Sequence, residues 1–384
     1  MIFHLNQQFN ERYSKQPLFF ASPGRVNLIG EHTDYNEGFV LPGATDKSIY
    51  VAIAKNDRNS LRVFANQFNE ERESPLDALQ PQKGWFTYPA GVAYHLQQAG
   101  HMISGVDVIL DGDVPVGAGM SSSAAICSAF GFALNEMFGF GLDRMQLALL
   151  GQKTEHTFAG VKCGIMDQFA SLHGREGYLM KLDCRSLQYE YIPFHFPRYR
   201  IVLVNTMVSH SLASSEYNTR RQQCEEGVRM MKKFKEGIHS LRDIPMHELE
   251  SHKEELPQEV YKRCHYVISE NDRLLKGCDF LRRADIESFG KLMYQTHDGL
   301  SSEYEVSCEE LDFLVNSAKP LKGVAGGRMM GGGFGGCTIN LVKQEDVDEF
   351  SEKMTSAYQN KFNKVPEIYI TQIEEGAHRI ASNL

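Results

Sequence analysis

Residues 114–135 carry no charged side chain, and so long an uncharged stretch narrows at once what the chain can become. It is long enough to tempt a membrane reading, but it opens on Pro115, Gly117 and Gly119 and is loaded with Ser and Ala. That composition predicts a loop feeding a buried helix over roughly 122–138, and no membrane span. Just upstream, residues 105–111 (GVDVILD) set Val106, Val108 and Leu110 on one face at period two, which predicts a strand. Strand, glycine turn and helix in succession bring the helix's unpaired N–H groups and the positive end of its dipole beside the turn. Ser121, Ser122 and Ser123 add hydroxyls that can meet phosphate oxygens or a divalent cation. A polyphosphate suits such a place; a turn that only caps the helix accounts for it too. The commoner phosphate loops are absent: there is no G-x-x-x-x-G-K-[ST], no third glycine for a dinucleotide fingerprint, and no H-R-D or D-F-G.

The rest of the chain alternates in the same way. Strands are expected at 17–30, 47–55, 177–183, 188–193 and 199–206, and a second helix near 143–158 with Asp143 as its N-cap. Helices are expected at 214–235, 245–254, 257–282, 284–299, 308–317 and from about 345. The 384 residues, 42% hydrophobic and 23% charged, suit two α+β domains. The shift in composition near 175–200 places them at 1–180 and 181–384. A net charge of −9 without a basic patch argues against nucleic acid as a partner. Eight scattered cysteines with no C-x-x-C pair read as reduced thiols. With no signal-peptide layout at the N-terminus, a cytoplasmic protein is expected.

Three further segments carry chemistry. Residues 22–38 (SPGRVNLIGEHTDYNEG) crowd Arg25, Glu31, His32 and Asp34 together. Carboxylates, a histidine and a fixed cation match a small polyol, whose hydroxyls need paired donors and acceptors; a surface turn with a salt bridge is the plainer alternative. Residues 163–169 (CGIMDQF) set Asp167 in an apolar run, either as a helix N-terminal partner or as a catalytic carboxylate. Glu155 on the preceding helix is a metal-ligand candidate or a solvated acid, and Tyr217 at a helix start is a ligand contact or packing. Residues 326–336 (GGRMMGGGFGG) hold more glycine than one turn needs, which points to close approach of the backbone to a ligand or a neighbouring loop. Trp85, with Phe86 and Tyr88, is either an adenine platform or a core cluster.

Together these segments resemble the galactokinases of the GHMP small-molecule kinase superfamily. Pro115 to Ala124 match the P-x-x-x-G-[LM]-S-S-S-[AS] loop, residues 24–36 reproduce G-R-V-N-L-I-G-E-H-T-D-Y-N, and GIMDQ, SEYNTR and GGGFGG follow in order. The resemblance implies a two-domain α+β kinase, with a ribosomal-protein-S5-like N-terminal domain, a ferredoxin-like C-terminal domain and the active site between them. It implies ATP over Gly117, Ala118, Gly119, Met120, Ser121, Ser122 and Ser123, with Trp85 and Tyr88 near adenine. Galactose falls to Glu31, His32, Thr33, Asp34, Gly164 and Tyr217, with catalytic Arg25 and Asp167 beside its O1, and Mg²⁺ to Ser123 and Glu155. The implied partners are galactose and ATP, with no nucleic acid and no membrane, on a monomer. A carboxylate beside an arginine is a weakened base, so Asp167 either takes the O1 proton late or mainly orients the hydroxyl. One departure is visible: Met330 stands where the family has Thr. A kinase for N-acetylgalactosamine or arabinose, or a galactose sensor without catalysis, are the alternatives; the intact serine run and Asp167 favour a catalyst.

Overall fold

The computed structural model describes residues 1–115, 117–209 and 213–381, and says nothing of the side chains at 209 and 213–215. Helix α1 (Ile2–Tyr13) leads into β1 (Leu18–Asn27), β2 (Phe39–Val40), β3 (Pro42–Lys55), β4 (Ser60–Ala65) and β5 (Glu70–Pro75). Then come α2 (Thr87–Gln98), β6 (Val106–Gly112), α3 (Ser122–Phe138), α4 (Arg144–Thr154) and α5 (Met166–His173). Strands β7 (Tyr178–Asp183), β8 (Tyr189–Pro193) and β9 (Tyr199–Ser209) precede the helices α6 (Ala213–Met231), α7 (Met246–Ser251), α8 (Gln258–Arg282), α9 (Ile286–Ser302) and α10 (Glu309–Ala318). The chain closes with β10 (Val324–Met329), β11 (Gly335–Lys343), α11 (Val347–Phe362), β12 (Glu367–Thr371) and β13 (His378–Ile380).

Alternation of side chains decides which face of each strand is buried where. Val106, Val108 and Leu110 enter the main core with Val51 and Ile53, while Ile109 and Ala52 point the other way, onto Leu5 and Phe9 of α1. The six-stranded sheet runs β13-β1-β3-β6-β4-β5 between α1 and the helices α2–α5. A second sheet, β10-β11-β9-β12, splits its residues in the same way. Val202, Val204 and Val342 meet α10 and α11, whereas Leu203, Ile339 and Leu341 join the main core. A third, small sheet is β2-β7-β8.

The expected boundary at 180/181 falls within β7. The C-terminus also returns to the first sheet: β13 pairs with β1, Thr45 bridges Ile373, and Ala377 N–H donates to the Ser171 carbonyl at 2.8 Å. Backbone hydrogen bonds ignore distance along the chain, so composition could not locate this closure. The helix expected over 143–158 is capped by Asp143 in a reciprocal box with Gln146, at 2.8 and 2.9 Å, but widens into a π turn over Glu155–Ala159. Such turns recur at functional sites. No helix among the described residues is long and apolar enough to cross a membrane.

Candidate active site

The sugar-like segment leaves β1 and turns sharply before β2. Gly30 adopts φ +91°, and a Cβ there would stand 2.6 Å from Leu274 Cδ1, so only glycine fits. The turn is tied from both sides. Thr33 Oγ1 donates to the Gly30 carbonyl, Glu270 Oε1 accepts from Gly30 N–H at 2.7 Å, and Asn271 Oδ1 accepts from Phe39 N–H at 2.8 Å. Arg328, fully buried on β10, donates Nε to the Leu28 carbonyl at 2.9 Å and pairs with the Glu31 carboxylate at 2.6 Å.

This framing opens a cleft of about 650 Å³ lined by Arg25, Glu31, His32, Asp34, Ser121, Ser123, Glu155, Gly164, Asp167 and Tyr217. Seven of the expected side chains or backbones for sugar and catalysis therefore meet in one place. Arg25 and Asp167 form a two-point pair, Nε–Oδ1 at 2.7 Å and Nη2–Oδ2 at 2.8 Å, while Nη1 donates to the Gly119 carbonyl. Burial works against the Arg25 charge, but Asp167, Glu31 and Asp34 outweigh it and hold the guanidinium protonated. Burial, reinforced by Asp167, lifts Asp34 to about 7, and burial drops His32 to about 3, so its ring is neutral.

Gly164 earns its place through a neighbour. A Cβ there would lie 1.7 Å from Asp34 Oδ2, so the absent side chain is the space the carboxylate occupies. Gly164→Ala is expected to displace Asp34 and, with the substrates the galactokinase resemblance implies, to raise the KM for galactose at least tenfold while the KM for ATP holds. Steady-state kinetics on a folded variant check this, and an unchanged galactose KM would contradict it.

A second cleft of about 640 Å³ is lined by Phe68, Trp85, Tyr88, Ser122 and Ser123 and meets the first at Ser123. Trp85 lies parallel to Phe68, centroids 6.3 Å apart, and its Nε1 donates to Glu70 at 2.8 Å. Burial raises Tyr88 to about 12. Ser121, at φ 56°, precedes α3 without capping it, which leaves the first N–H groups of α3 free of a side-chain cap. Ser123 Oγ donates to Glu155 Oε1 at 3.0 Å and Gln168 Nε2 donates to the same oxygen at 3.0 Å. Glu155 is pushed by burial, then by Asp167, up to about 7.

Some expected residues take other duties. Thr33 is fully buried and spends its hydroxyl on the Gly30 and Phe39 carbonyls, so it braces the turn and lines neither cleft. Ala118 and Met120 are buried in the core and Gly119 offers its carbonyl to Arg25, so the side chains this loop gives the clefts are those of Ser121, Ser122 and Ser123. Val116 of the expected loop lies outside the described residues. Met330, the departure from the family pattern, is buried with its Cε 3.4 Å from where a Gly119 Cβ would be, so it packs on the phosphate-like loop. Of the C-terminal glycines, Gly331, Gly332 and Gly333 line the cleft, while Gly326 lets β10 press against Gly290 of α9. Sequence reasoning missed Phe68, Glu270 and Tyr304, and gave no role to Tyr35 or Arg328. The last two sat inside quoted motifs, whereas nothing local marks Glu270 among the acids of a charged helix.

Comparison with known proteins agrees with this geometry. Residues 7–55 match the family described as the galactokinase galactose-binding signature, 87–175 the GHMP kinases N terminal domain, and 279–360 the GHMP kinases C terminal. A galactokinase from Roseiflexus sp. is 39% identical over 99% of this chain and 97% of its own. One from Bacillus subtilis is 40% identical over 94% of both chains. The crystal structure of Lactococcus lactis galactokinase complexed with galactose superposes with a TM-score of 0.95 at 32% identity, over 99% of this chain and all of that one. Methanococcus jannaschii mevalonate kinase, at TM-score 0.67 and 18% identity, shares the fold.

Proposed function

Since the chain belongs to the galactokinase family of the GHMP kinases, we propose that its two clefts serve one reaction: the γ-phosphoryl of ATP passes to the anomeric hydroxyl of α-D-galactose, giving galactose 1-phosphate and ADP. The enzyme is an ATP-dependent sugar kinase of the two-domain α+β GHMP fold. The observation that carries the reading is the junction of the clefts at Ser123, with the Arg25–Asp167 pair beside it. Phosphoryl transfer needs alignment and charge neutralisation more than covalent help. A nucleotide whose base lies against Trp85 and Phe68 would reach the N-terminus of α3 with its phosphates, opposite a sugar in the larger cleft. Arg25 would neutralise charge on the transferred group, and Asp167 would orient O1–H and accept its proton as the O–P bond forms.

Mg²⁺ fits Ser123 and Glu155. A hydroxyl and a carboxylate are hard oxygen donors, and Mg²⁺ bound with nucleotide commonly takes few protein ligands beside phosphate and water. The buried Glu155 carboxylate meets Ser123, Gln168 and Cys163 and no cationic side chain among the described residues, which is the condition a bound cation would relieve. When bound, the ion would polarise the phosphate oxygens. Raised carboxyls at Asp34 and Glu155 also set a sign for stability. Their protonated forms favour the ligand-free fold, so stability is full below the ordinary carboxylate range and is lost as pH rises through about 7. The lowered His32, His95 and His173 act with the opposite sign over part of the same range, so the readout is a difference: between about pH 5 and about pH 8 the melting temperature of ligand-free Glu155→Gln should lose less, or gain more, than that of the wild type. A slope unchanged by that variant would remove Glu155 from the account.

The test of the reading is ADP release from Mg-ATP with galactose, glucose, N-acetylgalactosamine and arabinose. Turnover on galactose supports it, and turnover only on another sugar replaces the substrate. Asp34→Ala should lose discrimination against glucose as well as affinity, because an unpaired buried acceptor penalises the wrong epimer. Equal loss on every sugar would remove Asp34 from specificity.

A further inference from the structure

His32 is nearly buried, at 5% exposure, in a left-handed conformation (φ 63°) held by Asn36, whose Nδ2 donates to the His32 carbonyl at 2.9 Å. A file of hydroxyl and thiol groups leads away from its ring. Nδ1 meets Tyr35 Oη at 2.7 Å, Tyr35 Oη meets Tyr304 Oη at 2.8 Å, and Tyr304 Oη meets Cys224 Sγ at 3.3 Å. Tyr304 and Cys224 are fully buried. At the other end, His32 lines the larger cleft, and its buried Nε2 makes no hydrogen bond of ordinary geometry, although the Gly332 backbone acts on the ring.

Such a file can point in two directions, and acid–base strength chooses between them. A phenol is a better donor than a neutral imidazole N–H, and an imidazole nitrogen is a far better acceptor than a phenol oxygen. Tyr35 O–H therefore donates to Nδ1, Tyr304 O–H donates to Tyr35, the Cys224 thiol donates to Tyr304, and the imidazole proton is left on Nε2. The tautomer of a histidine follows the hydrogen bond made by its other nitrogen. The surroundings agree: Glu31, Asp34 and Asp167 are acceptor carboxylates on the same cleft, and a polyol among acceptors needs donors as well. We infer that Tyr35, backed by Tyr304 and Cys224, is a positioning residue that fixes His32 as its Nε2–H tautomer and so supplies the sugar cleft with a neutral donor. The tautomer stands on the geometry alone; its effect on sugar binding rests on the galactose reading of the cleft.

The experiment is long-range ¹H–¹⁵N NMR of the enzyme labelled in histidine, with His32→Gln used to assign the signals. The expected spectrum has Nε2 of pyrrole type and Nδ1 of pyridine type. In Tyr35→Phe, which keeps the ring and its packing, both should move toward the mixed-tautomer average. The KM for galactose should then rise about tenfold, with the KM for ATP changed less than twofold. Tyr304→Phe spares the Tyr35–His32 bond and should keep the tautomer with a smaller effect on KM. A pyrrole-type Nδ1 in the wild type overturns the inference even if no variant folds, and so does a Tyr35→Phe spectrum identical to wild type. A wild type without galactose turnover would sink the functional reading and leave the tautomer result standing.

Discussion

Asp167→Asn is expected to lower kcat on galactose by about 10³-fold while galactose still binds within a few-fold of wild type, the size typical of a lost general base. The amide can keep a contact to Arg25 and fills the same space, so the cleft should hold its shape. What it loses is the ability to take a proton and the negative charge that fixes the guanidinium by two bonds, 2.7 and 2.8 Å long. Those bonds already engage both carboxylate oxygens, so the remaining lone pair directed at O1 has to be reached in the bound complex. Turnover number by ADP release and affinity by calorimetry separate the two effects. A fall of less than tenfold would show that Asp167 orients the hydroxyl and that the proton leaves by another route. A parallel collapse of galactose affinity would make Asp167 a binding residue.

Arg328→Met is expected to destabilise the fold by about 3–5 kcal/mol, because it strands a buried carboxylate. Arg328 is wholly enclosed, and its charged partner among the described residues is Glu31, itself 4% exposed. Its other hydrogens go to the Asn27, Leu28 and Met329 carbonyls, so the second sheet is fastened to the exit of β1 by one side chain. Removing it leaves an unpaired charge and three acceptors short of a donor. The double variant Glu31→Gln with Arg328→Met should recover part of the loss, since the stranded charge goes with it. Urea denaturation at neutral pH measures both. A single-variant loss below about 1 kcal/mol would show the pair to be replaceable packing.

Much of the fold was legible before the structure. The α3 boundaries, the face of β6 and the capping of α4 by Asp143 follow from period, glycine and cap chemistry, all set by residues a few positions apart. The elements left unassigned, α1, α2, β4, β5, β10, β12 and β13, carry charged or mixed patterns whose burial depends on what lies above them, whereas the apolar CTINLV run reads as the strand that β11 is. The site divides in the same way. Arg25, Glu31, His32 and Asp34 were readable because the turn gathers them in one segment. Thr33 belongs to the same segment, yet adjacency in sequence says nothing about whether a hydroxyl faces a cleft or, as here, its own backbone.

The sequence by itself determined the chemistry available: a helix N-terminus with serines, a crowded set of acids with one arginine, and the family they resemble. Tertiary structure decided which of these groups act together. Arg25 meets Asp167 across 142 positions, and Arg328 reaches the Asn27 carbonyl across 301. It also decided charge, since the buried carboxylate at 155 rises to about 7 because the surrounding elements exclude water from it and bring Asp167 near. Local propensities depend on near neighbours along the chain, whereas desolvation and pairing depend on neighbours in space. The proton on His32 draws on both kinds: Tyr35, three positions along the chain, sets its place, and Tyr304 and Cys224, which only packing brings to Tyr35, back that hydroxyl.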